Sequence, residues 1–78
     1  MSVEERLRSV FQETLELDED VEIGTLDRES VDAWDSLAQM LLVVAIEREF
    51  GIELTTDEVI DLESFDGAMT LVSARTAV

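Results

Sequence analysis

A serine hydroxyl becomes a useful nucleophile only when a neighbouring base takes its proton. The serine best placed for chemistry here, Ser36 of Trp34-Asp35-Ser36-Leu37, has no such neighbour to draw on. The 78 residues contain no His and no Cys, and the five basic residues are all Arg. Ser36 follows an acid and precedes a long apolar stretch, the pattern of a hydroxyl at the mouth of a helix. Such a serine reads as a place where another enzyme attaches a group.

Other chemistries fare worse. Asp18, Asp20, Glu22 and Glu29 mimic positions 1, 3, 5 and 12 of a calcium loop, but its sixth position is Ile23 and Gly24 comes one residue late. Diffuse attraction of divalent cations to clustered acids is the better reading of that segment. Without His or Cys there is no zinc set, and no glycine-rich phosphate loop follows a strand. Paired carboxylates for hydrolysis need an enclosed pocket that separates their proton affinities, and short helices offer none. The acids read as a solvated face.

Twenty acids against five Arg give a formal charge of −15, which argues against nucleic acid as a partner and for proteins with basic docking surfaces. The 46% hydrophobic content is too high for a disordered acidic tail, so residues 1–78 are expected to form one small domain stabilised by its apolar core alone. Met1 to Arg6 lacks the features of a signal peptide. The longest apolar run, Met40 to Ile46, has seven residues where a spanning helix needs roughly 20. The expectation is a cytoplasmic monomer with no membrane span.

The elements that must position Ser36 follow from period and capping. Ser2 and Glu5 form an S-x-x-E pair that opens a first helix, with Val3, Leu7, Val10 and Phe11 on one stripe and Glu4, Arg8, Gln12 and Glu16 opposite. It should fade near Leu17. From Asp18 to about Trp34 no period holds, and Val21, Ile23, Leu26 and Val31 read as anchors of a long ordered loop that turns at Gly24. A second helix, capped by Asp35 or Ser36, runs from Ser36 to Phe50 and stops at Gly51. Thr55 and Glu58 open a short third helix ending near Leu62. Ser64 caps a fourth, where Phe65, Ala68, Met69 and Val72 recur.

The second helix has two apolar faces. Leu42, Val43, Ile46 and Phe50 should pack against the first and fourth helices. Leu37, Met40, Leu41 and Val44, with Arg48 continuing the line, form a second stripe that starts one residue after Ser36. We expect it to be partly exposed and to meet partners, with Met40 supplying adaptable contact. Trp34 could pack the loop against this helix at its rim.

Asp35-Ser36-Leu37 in this context, followed by Leu42 to Ile52 and then the short and final helices in that order, resembles the acyl carrier protein family over almost the whole chain. The resemblance implies an all-α four-helix bundle with three principal helices, a short third helix and a long first loop. It also implies that the chain is not an enzyme. Ser36 would carry a 4'-phosphopantetheine arm, moved there from coenzyme A by a Mg²⁺-dependent phosphopantetheinyl transferase, and the arm would hold acyl or aminoacyl groups as thioesters for loading and processing enzymes. Asp35 and Leu37 would flank the site for transferase recognition, and Leu37, Met40, Leu41, Val44 and Glu47 would dock partners. Leu41 and Arg48 stand where fatty acid synthase carriers typically place acids, and Trp34 resembles carriers of specialised polyketide or nonribosomal peptide pathways. The other reading of the same residues is an acidic helical module that binds partners without a covalent arm.

Overall fold

The computed structural model describes residues 2–76. Helix α1, Val3–Thr14, starts where Ser2 Oγ accepts the Glu5 N–H at 3.1 Å, with Glu4 and Glu5 in the first turn against the positive end of the helix dipole. It ends three residues before Leu17, the expected limit. Leu15 closes the last turn on Phe11 O, Glu16 turns the chain in the left-handed region (φ 53°), and Leu17 N–H reaches back to Gln12 O. A non-glycine residue in that conformation leaves no obvious mark in a sequence.

The long loop is ordered by its anchors. Ile23 and Leu26 are buried, and Val21 and Val31 pack partly against the core. Gly24 lies inside a short 3-10 turn, Ile23–Thr25. Asp27 then pairs with Ser64 in an isolated antiparallel bridge, with Arg28 N–H on Glu63 O at 2.7 Å and Phe65 N–H on Leu26 O at 3.0 Å. The loop is thereby tied to the start of the last helix.

Helix α2, Ser36–Phe50, keeps both expected ends, and Gly51 closes it at φ 65°, a conformation that costs glycine nothing. Helix α3, Thr56–Ile60, opens on a reciprocal capping box between Thr55 and Glu58. Helix α4, Phe65–Thr76, starts where Ser64 Oγ accepts the Gly67 N–H at 2.9 Å. The described residues are thus all-helical, with four helices and no strand beyond that one bridge.

Phe11 sits at the centre of the core, fully buried and edge-on to both Trp34 (5.3 Å between centroids) and Phe65 (5.2 Å). Leu7, Leu42, Ile46, Leu62 and Val72 complete its interior. Leu42 and Ile46 of α2 share one buried core with Leu7, Val10 and Phe11 of α1 and with Phe65, Ala68 and Val72 of α4, and the 3-10 turn also approaches α1 and α4.

Among the described residues three of the five Arg pair with acids: Arg6 with Glu49 at 2.8 Å, Arg8 with Glu4 at 3.0 Å, and Arg75 with Glu58 at 2.6 Å. The Thr55 backbone N–H, and after it the Arg75 guanidinium, hold the Glu58 carboxyl below its ordinary value. This contribution is complete above the unfolded-state value and is lost as pH falls through the lowered folded one. The remaining acids are largely uncompensated, and screening grows as the Debye length shrinks to about 10 Å at 0.1 M salt. The thermal midpoint should therefore rise on adding NaCl, by about 4–8 °C for each ~1 kcal/mol of repulsion relieved. A flat or falling midpoint in a thermal scan would show the acids to be individually compensated.

Candidate functional site

The site is the first turn of α2 and what surrounds it. Asp35 is the cap: its backbone is extended and its Oδ1 accepts the Ala38 N–H at 2.9 Å, while its carbonyl takes the Gln39 N–H. The sequence left the cap open between Asp35 and Ser36. Ser36 is the first helical residue, exposed to solvent, with its hydroxyl spared from capping. Its own N–H and that of Leu37 lie in the first turn, where no preceding carbonyl of the helix reaches them. The first turn of α2 contains no acid, so only the Asp35 carboxylate offsets the positive helix end. A phosphate ester on Ser36 Oγ fits this position sterically and electrostatically.

The second stripe of α2 faces solvent. Leu37, Met40, Leu41 and Val44 are 66%, 68%, 50% and 45% exposed, and Ile60 of α3 is 64% exposed. These five are the exposed large apolar side chains of the described residues. The opposite face holds the fully buried Leu42 and Ile46, with Val43 and Phe50 half-buried. Arg48 is exposed at the end of the stripe. Glu47 is turned inward: its carboxylate, half-buried, accepts the Leu54 N–H at 2.8 Å and braces the turn between α2 and α3.

Trp34 is a core residue, 2% exposed, and not a rim contact. Its Nε1–H donates to Gln39 Oε1 at 2.6 Å. Gln39, on the other side of the site from the stripe, escaped notice in the sequence. The signal was present, because Gln39 falls on the same helix face as the buried Leu42 and Ile46. Ile60 was missed as well, since a five-residue helix is too short to show which way a side chain faces.

An open cleft of about 600 Å³ lies on the loop side, lined by Asp27, Arg28, Glu29, Trp34, Glu63 and Ser64, without Ser36 or the stripe among its walls. No group of three His, Cys, Asp or Glu residues among those described is placed to hold a metal ion, and no described helix is long and apolar enough to cross a membrane. What the fold brings together is therefore a free hydroxyl on a positive helix end, next to an exposed apolar stripe on the same helix.

A family model described as a phosphopantetheine attachment site matches residues 5–72. Neither the curated proteins nor the solved structures gave a match.

Proposed function

The chain belongs to the phosphopantetheine attachment family, and we propose that Ser36 is the residue to which the 4'-phosphopantetheine arm is joined. As a member of that family it is an acyl carrier and not an enzyme, and it works with a phosphopantetheinyl transferase and with acyl-processing enzymes. When bound, the arm supplies the thiol on which acyl groups are held as thioesters, chemistry this Cys-free chain lacks. The observation that carries the assignment to Ser36 is its exposed hydroxyl at the first position of α2, left free because Asp35 does the capping.

In this reading each neighbour has a distinct task. Asp35 holds the helix start, so that the Ser36 hydroxyl points outward to displace the adenosine-bearing phosphate of coenzyme A on the transferase. The unpaired N–H groups of Ser36 and Leu37 favour the phosphodiester so formed. Leu37, Met40, Leu41 and Val44 offer partners an apolar ledge, while Glu47 contributes by bracing the α2–α3 turn rather than as an exposed charge. We read residues 1–78 as one carrier domain, a cytoplasmic monomer. Leu41 and Arg48 on the ledge, with few acids along it, favour a partner set from a specialised pathway of polyketide or nonribosomal peptide type.

Incubation with coenzyme A, Mg²⁺ and a promiscuous transferase, followed by intact-mass and fragment analysis, should show one added arm, located on Ser36. A chain that gains no mass would instead be a non-covalent docking module. Met40→Glu puts a charge on the ledge without touching the core. Turnover with partner enzymes should fall by roughly tenfold, as loss of a central apolar contact does, while helical circular dichroism is unchanged. Loss of helicity in this variant would assign Met40 to the core.

A further inference from the structure

Gln39 is the one polar residue in the described core, and its amide makes three hydrogen bonds, one to the loop before α2 and two to the end of α3. Oε1 accepts from Trp34 Nε1 at 2.6 Å; Nε2 donates to Val59 O at 2.8 Å and to Leu62 O at 3.0 Å. One side chain thus joins the loop residue just before Asp35-Ser36, α2 itself, and two carbonyls at and just beyond the end of α3, of which Val59 O also accepts the Leu62 N–H. Helix α3 needs such a tie, because none of its five residues is buried. Its ion pair from Glu58 to Arg75 lies at the surface, where such pairs contribute little.

The tie has a consequence for the apolar ledge. Ile60 directly follows Val59, whose carbonyl Gln39 holds, and Gln39 lies between Leu37 and Met40 on α2. The amide therefore ties the backbone next to Ile60 to the first turns of α2. We propose that Gln39 is a positioning residue for the modification of Ser36: it holds α3 so that Ile60, Leu37 and Met40 form one face that the transferase grips. The proposal rests on the reading of Ser36 as the attachment site. The partner it commits to is a transferase with an apolar patch spanning both helices.

A merely structural Gln39 would affect stability, whereas a positioning one makes the effect of Ile60 depend on it. The test is a double-mutant cycle on KM and kcat for arm transfer from coenzyme A, using Gln39→Met, Ile60→Ala and the double variant. Ile60→Ala should raise KM roughly five- to tenfold with little change in kcat, as loss of uniform binding does. Gln39→Met should raise KM to a similar extent although it removes no exposed contact. Adding Ile60→Ala to it should then change KM by less than about twofold. Independent, multiplying effects overturn the proposal, as does an Ile60→Ala variant with unaltered KM. Should Gln39→Met fail to fold, Trp34→Phe keeps a ring beside Phe11 while removing the Nε1–H donor and the indole's second ring. It should give a smaller rise in KM that is again sub-multiplicative with Ile60→Ala, and multiplication there overturns the proposal equally. If the unaltered chain takes up no arm, the reading of Ser36 fails; if it does and the cycle multiplies, the Gln39 assignment alone fails.

Discussion

Ser36→Ala should abolish arm addition completely while leaving the fold intact. The first half follows from chemistry: the alanine has no oxygen to form the phosphodiester, and none of the remaining serines, Ser2, Ser9, Ser30, Ser64 and Ser73, belongs to α2. The second half follows from geometry. Asp35 makes the cap, Ser36 is exposed, and alanine is the best helix former, so the change in stability should stay within about 0.5 kcal/mol. Asp35→Ala supplies the contrast. It removes the acceptor of the Ala38 N–H and should cost about 1 kcal/mol, a fall of about 4–8 °C in thermal midpoint for a chain of this size. The pair of variants thus separates attachment from capping, two roles that one serine at a helix start could have combined. A Ser36→Ala chain that still gains the arm's mass in intact-mass analysis, or one that unfolds, would contradict the assignment.

Phe11→Ala should bring the domain close to unfolding. Large-to-small replacement of a buried Phe costs about 3–5 kcal/mol, and here the ring is wholly buried with no solvent-facing edge to relax towards. It also makes two edge-on aromatic contacts, each worth about 0.5–1.5 kcal/mol beyond its area, and they join α1 to the loop through Trp34 and to α4 through Phe65. A domain of this length has a total stability of about 4–12 kcal/mol at the usual value per residue. The loss is therefore a large fraction of everything that holds the fold. Urea unfolding followed by the fluorescence of Trp34, the only Trp, measures it directly. A cost below about 1 kcal/mol would mean that the three rings are not the centre of the core. Because Trp34 also donates to Gln39, the same variant should loosen the joint beneath Ser36 before the rest of the chain unfolds.

Much of this was legible in the chain, and what was legible was local. Both ends of α2 could be read because an acid and a hydroxyl before an apolar run, and a glycine after it, act through the few atoms nearest to them. The Thr55 and Glu58 box and the Ser64 cap were readable for the same reason. So was the division of α2 into two faces, since the 3.6-residue period is a property of the helix alone. The end of α1 was less so: Glu16 turns left-handed without a glycine to announce it.

The neighbours of Ser36, the four helices and the exposed stripe followed from residue order, because capping and periodicity need no knowledge of distant segments. Contacts between segments far apart in the chain could not be read that way. Residue types allowed either Asp35 or Ser36 to cap α2, and only the placement of Oδ1 beside the Ala38 N–H made it Asp35 and freed Ser36. The sequence placed Glu47 among the docking residues but gave no sign that the α2–α3 turn would bring the Leu54 N–H to its carboxylate. Gln39 looked unremarkable until the ends of the loop and of α3 arrived at its amide. In each case a polar group's role was set by the partner that folding carried to it, and hydrogen bonds, being directional, depend on that arrival in a way that apolar burial does not.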